Sequence, residues 1–168
     1  MEIIPPVRMV AFEKLEPGDL FLYMDGQHKF YALKTALPRP TMVMLGPTFI
    51  PPDITESYLL SWDAGQVLSL GKNFHVLLPT GAADWVWSGQ TRAPPIYLAV
   101  AGSELFICTN GGRSSQAGYV PCFVNIRTGS VLEGGLPGTS VYTNKWEIAA
   151  AGEKYPTRTV LKFPLSQA

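Results

Sequence analysis

Glycine and proline punctuate this chain from end to end, and that punctuation limits what it can fold into. Sixteen glycines and fifteen prolines are spread over 168 residues. Proline removes an amide donor and clashes with the preceding turn, so helices of ten or more residues are hard to reconcile with this pattern. Between the breaks lie short runs rich in β-branched, aromatic and aliphatic residues. They predict strands over 18–24, 28–35, 41–45, 57–62, 66–70, 73–78, 95–100, 104–109, 118–126, 130–133, 140–148 and 157–163. Short strands spaced by turn signals indicate a β-barrel or sandwich. The best helical candidate is "DITESYLL", where Asp53 could cap with Glu56 three residues on. No periodic apolar stripe follows it, so one turn is the most it predicts.

The clearest hairpin is "LEPGDLFLYMDGQHKFYALK", residues 15–34. A two-residue turn at Asp25-Gly26 would pair Tyr23 with His28 and Phe21 with Phe30. Alternation then puts Phe21, Tyr23, His28 and Phe30 on one face, and Leu20, Leu22, Tyr31 and Leu33 on the other. Both faces are largely apolar, which predicts a central position in a sheet.

Two landmarks recur in the same order. Leu20-Phe21 followed by Asp25-Gly26 matches Leu105-Phe106 followed by Asn110-Gly111, at an offset of 85. "LLSWDAGQVLSL" (59–70) matches "FVNIRTGSVLEG" (123–134), at an offset of 64. The order points to an internal duplication, against the plainer account that any all-β chain has apolar runs ending in such turns. The reading is an all-β protein of two small β-barrel or sandwich-like units packed into one compact body. The units are 10–80 and 95–165, with a Trp-containing connector over 81–94. Units this small bury a modest share of their surface alone, so packing together would stabilise both.

Charge and composition narrow the function. Thirteen basic residues balance thirteen acidic ones, so net charge gives nucleic acid no broad attraction. Charged residues are only 15% of the chain, below the roughly 25% usual for soluble domains, which suggests an apolar contact surface. The N-terminus carries an early acid, two prolines and an arginine, and does not read as a signal peptide. No apolar run approaches the roughly 20 residues of a membrane-spanning helix. A cytoplasmic protein is expected. Cys108 and Cys122 lie in apolar strand patterns and read as buried free thiols.

The motifs of catalysis are missing from the sequence. His28 and His75 are the only histidines, and no HExxH, HxH or cysteine-rich ligand set accompanies them. "GRSSQ", with Ser114 and Ser115, lacks the second glycine of a nucleophile elbow, and no helix pattern follows it. "GGRSSQAG" reads instead as a polar hairpin loop. "GPTFIPP" and "TNGGRSS" lack the phosphate-loop skeleton. No catalytic residue, metal or cofactor is assigned.

For binding, "ADWVWSG" is the most informative stretch, because Trp85 and Trp87 would point to one side of an extended segment. They could instead plug the junction between the units. The expected function is a non-catalytic binding or assembly module that meets a protein partner or a second copy, with Trp85, Trp87, Arg113 and His28 as candidate binding residues. The alternative is an enzyme or small-ligand carrier with its site between the units, drawing on His28, His75, Arg113 or Ser114.

Overall fold

Among the described residues, every element longer than one helical turn is a strand. The computed structural model describes residues 7–25, 28–39, 41–46, 59–61, 65–87, 97–114, 118–136, 140–150 and 158–163. The first six strands are β1 (Arg8–Ala11), β2 (Leu20–Asp25), β3 (His28–Lys34), β4 (Thr41–Gly46), β5 (Leu59–Ser61) and β6 (Gln66–Gly71). They form one antiparallel sheet in the order β1-β6-β2-β3-β4-β5. The next strand, β7 (Phe74–Leu77), leaves that sheet. A second sheet is built from β8 (Val86–Trp87), β9 (Leu98–Ala101), β10 (Glu104–Ser114), β11 (Gly118–Asn125), β12 (Val131–Glu133) and β13 (Val141–Thr143), in the order β12-β11-β10-β9-β13-β8. The last two strands, β14 (Trp146–Ala150) and β15 (Arg158–Phe163), join β7 in a third sheet ordered β15-β14-β7. Helical structure among the described residues is confined to single 3₁₀ turns at Phe12–Lys14 and Ala82–Asp84. No helix among them is long and apolar enough to cross a membrane. Of the helical candidate at 53–60, residues 53–58 lie outside the described residues, and Leu59 and Leu60 belong to strand β5.

The all-β class expected from the glycine and proline pattern is therefore present, but among the described residues no sheet closes into a barrel. Closure requires the first and last strands of a sheet to pair. In the first sheet those strands, β1 and β5, are four and three residues long and lie at opposite edges.

One core joins the three sheets. Leu20, Leu33, Val43, Leu45 and Leu70 contribute from the first sheet, and Leu98, Ile107, Val124 and Ile126 from the second and its β11–β12 turn. Trp146, Ile148, Leu161 and Phe163 contribute from the third, where the Trp146 and Phe163 rings stack at 4.1 Å and 12°. Each fully buried large aliphatic or aromatic side chain stabilises the fold by roughly 1.5–3 kcal/mol. The opposite face of the first sheet is also dry: Phe12 and Leu15 fold over Phe21, Tyr23, Phe30, Ala32, Met42, Met44 and Val67. This double burial explains why the first hairpin is apolar on both faces and sits inside its sheet. The second sheet has a smaller outer cluster of Ala99, Phe106, Cys108, Phe123 and Tyr142.

The hairpin register differs from the expected one. Asp25 pairs with His28 and Tyr23 with Phe30, where the sequence predicts Tyr23 opposite His28. Each partner has moved by two residues, an even step, which preserves every side chain's face.

The expected single strand over 140–148 is two strands in different sheets. Thr143 Oγ1 accepts a hydrogen bond from the Lys145 amide (3.1 Å), and the chain changes sheet at that turn. The polar loop expected at 111–118 is mostly strand: β10 runs through Asn110-Gly111 with an irregularity, and Ser114 pairs with Gly118.

These pairings do not establish the internal duplication. Asp25 ends a strand whereas Asn110-Gly111 lies within one, and β11 pairs with β12 while β5 and β6 do not pair with each other.

Candidate functional site

A cleft of about 720 Å³ opens where β7 faces the second sheet. One wall is made by Lys72 and the first three residues of β7, Phe74, His75 and Val76. The other is made by Ser103, Glu104 and Leu105 at the start of β10 and by Asn125–Thr128. Gly18 also lines it. The volume falls within the roughly 300–1,000 Å³ range of small-ligand sites.

Local sequence explains each wall. After Gly71, at φ +63, the chain leaves the first sheet, and the Phe74 amide turns back to donate to the Lys72 carbonyl (2.9 Å). Phe74 and Val76 then pack against the shared core while His75 and Leu77 stay exposed. Opposite them, "NIRTG" forms an Asx turn. The buried Asn125 Oδ1 accepts the amides of Arg127 and Thr128, both at 3.0 Å, and its Nδ2 donates to Glu104 Oε1 at 3.1 Å. The Ile126 amide donates to the Leu105 carbonyl (3.0 Å), tying this turn to β10.

Two glycines allow the first sheet to approach that turn. Gly18 has φ +86, and a Cβ there would lie 2.3 Å from the Arg127 carbonyl oxygen. Gly129 has φ +68, and a Cβ there would lie 2.6 Å from the Lys34 carbonyl oxygen. The Ala36 amide donates across this contact to the Gly129 carbonyl (2.8 Å). No side chain larger than hydrogen fits either position without moving backbone.

The floor is apolar, formed by Phe74, Val76, Leu105 and Ile126, and the rim is charged. Lys72 pairs with Glu16 at 3.2 Å, an exposed contact of small energetic weight. The Glu104 carboxylate holds Asn125. The exposed Arg127 guanidinium has no hydrogen-bond or ion-pair partner among the described residues. The exposed His75 likewise has no hydrogen-bonding partner among them that would orient its ring.

The four candidate binding residues are not among the described lining of the cleft. Trp85 is half-buried, and its Nε1 donates to the Pro79 carbonyl (3.3 Å). The neighbouring Asp84 is held by Lys145 at 2.6 Å. Trp85 belongs to none of the three core clusters and does not line the cleft. Trp87 sits in β8 opposite Val141, Arg113 in β10 opposite Tyr119, and His28 at the start of β3 opposite Asp25. The side chains of these three lie outside the described residues. Of the residues considered for a site between the units, His75 lines the cleft, and the side chains of His28, Arg113 and Ser114 lie outside the described residues.

Lys72, Glu104, Asn125 and Arg127 were not anticipated. The available signal was "NIRTG", whose asparagine and glycine spacing marks a specific turn.

Elsewhere, burial and the neighbouring Cys122 push the Cys108 thiol up to about 12, so it is a poor nucleophile. Both cysteines are buried and neither forms a disulfide among the described residues. Among the described residues no group of three His, Cys, Asp or Glu side chains is placed to hold a metal ion. Comparison with protein-family models, with curated proteins and with solved structures finds no match.

Proposed function

We propose that this protein is a non-catalytic binding module that docks a partner in the cleft between two β-units, 10–80 and 95–165, connected by 81–94. The observation that carries this reading is the cleft itself, an apolar floor continuous with the core and ringed by Lys72, His75, Glu104 and Arg127. Clefts between structural units that combine apolar walls with a few polar groups are the usual place for a ligand. Binding is favoured over acid–base catalysis because catalysis calls for a base oriented by a second group. Here Glu104 is engaged in holding the Asx turn, and His75 has no orienting partner among the described residues. A cleft is favoured over self-association through one broad apolar face because the exposed large apolar residues fall on five separate segments, as the pairs Val7/Met9 and Leu77/Leu78 and singly at Met24, Leu37 and Leu132.

The test is a fragment screen read by amide chemical shifts on the full chain. Hits are expected to perturb Phe74–Val76, Ser103–Leu105 and Asn125–Thr128 together. Ser103→Trp, at an exposed position on the rim, is expected to abolish those hits without unfolding the protein. Hits that cluster elsewhere, or that persist in Ser103→Trp, would refute the assignment.

A further inference from the structure

We infer that the occupant of the cleft is an extended segment of a partner protein, which adds to the third sheet as a fourth strand alongside β7 and directs an acidic side chain to Arg127. This deepens the binding reading above and rests on it.

The geometry begins with sheet order. β7 pairs with β14 on one side, and among the described residues no strand lies on its other side. That free side faces the cleft, since Phe74, His75 and Val76 all line it.

The backbone direction follows from one hydrogen bond. In an antiparallel strand, the N–H and C=O of a residue point to the same side, and the side alternates from residue to residue. The Phe74 amide is turned to the Lys72 carbonyl rather than to β14. His75 and Leu77 are then the residues that exchange bonds with Ala149 and Glu147, their register partners. Val76 is left with its N–H and C=O directed into the cleft. An unpaired donor and acceptor on a strand edge are what an added strand bonds to.

Side chains fit the same occupant. An added strand would send alternate side chains down toward Phe74, Val76 and Leu105, on the rim of the core, and the others up toward solvent. Four residues at about 3.3 Å each match the length of β7. The charge preference comes from Arg127, whose guanidinium is unpaired among the described residues while Glu104 and Lys72 are each engaged. A carboxylate can accept two parallel bonds from such a group.

The experiment selects binders from a random twelve-residue peptide display library against the full-length chain, then measures synthetic copies by titration and by amide chemical shift. The enriched peptides are expected to alternate apolar residues and to carry an Asp or Glu. N-methylation at alternate amides of the peptide is expected to weaken binding at least tenfold, whereas N-methylation at the intervening amides is expected to leave it within about threefold. Arg127→Gln is expected to weaken binding about tenfold. Val76→Pro removes the cleft-facing N–H and part of the valine's packing on the core; it is expected to lose the peptide while amide shifts outside β7 stay in place.

The inference is overturned if no peptide is selected, if every N-methylated peptide still binds, or if the shifts map away from β7. It is also overturned if the chain dimerises through β7, seen as a dimer in sedimentation that Val76→Pro dissolves. Fragment hits that still map to the cleft while peptides fail would sink the strand-addition inference alone; loss of both would sink the binding reading.

Discussion

Gly18 and Gly129 meet at the seam between the first and second sheets: a Cβ on Gly129 would stand 2.8 Å from the Gly18 amide nitrogen. Each residue has positive φ, and each has the other sheet's backbone where a side chain would begin. Sheet contact and cleft geometry therefore depend on the same two positions, because Gly18 and the Asn125–Thr128 turn both line the cleft.

Gly18→Ala and Gly65→Ala separate conformational strain from steric exclusion. Gly65 has φ +54 but open space around its missing Cβ, so alanine there is expected to cost about 1–2 kcal/mol. Gly18→Ala adds a clash with the Arg127 carbonyl and is expected to cost about 3 kcal/mol or more. Urea unfolding midpoints measure both. Equal losses would remove the close contact from the account.

Trp146 and Phe163 are register partners whose stacked rings anchor the third sheet in the shared core. Trp146→Ala is expected to destabilise by roughly 3–5 kcal/mol. The double variant with Phe163→Ala should lose less than the sum of the single losses, because the two rings contact each other. Strict additivity in denaturant unfolding would show that the stack carries no coupling.

The thiol of Cys108 makes stability fall at high pH. Its folded value is raised from 9.0 to about 12, so the folded state holds the proton more tightly than the unfolded state does. The contribution is complete below about pH 9 and is lost as pH rises toward 12. Cys108→Ala is expected to flatten the pH dependence in that window relative to the parent. An unchanged slope between the two proteins would contradict the raised value.

Glu147 carries the opposite sign. A hydrogen bond from Thr159 (2.7 Å), followed by Lys162 (3.0 Å), holds its carboxyl below the ordinary value of 4.5. Its contribution is present above that value and fades as pH falls through the depressed one. Thr159→Val is expected to raise the Glu147 titration midpoint, read by carboxyl carbon shifts. A midpoint that stays put would assign the shift to Lys162.

How much of this was legible in the sequence depended on whether the signal was local. The first hairpin was legible down to its two faces, because alternation survives an even change of register, although the Asp25-Gly26 turn signal put the pairing two residues out. Strand class was legible from the glycines and prolines. The sheet change at Asn144–Lys145 was not, since "SVYTNKWEI" keeps a period of two through a turn made by the Thr143 hydroxyl. The cleft was the least legible feature. Its walls come from residues near 18, 72–76, 103–105 and 125–128, and nothing local in any one segment announces the others. Tryptophans drew attention because of their size, yet the one donor of Trp85 goes to the Pro79 carbonyl just before the connector.

The claim that matters most is that β7 presents an open edge to the cleft, and residue-resolved amide hydrogen exchange on the unliganded chain tests it without any partner in hand. The account predicts slow exchange at His75 and Leu77, which bond to β14, and exchange at Val76 faster by at least about tenfold. Protection of Val76 equal to that of its two neighbours would contradict it.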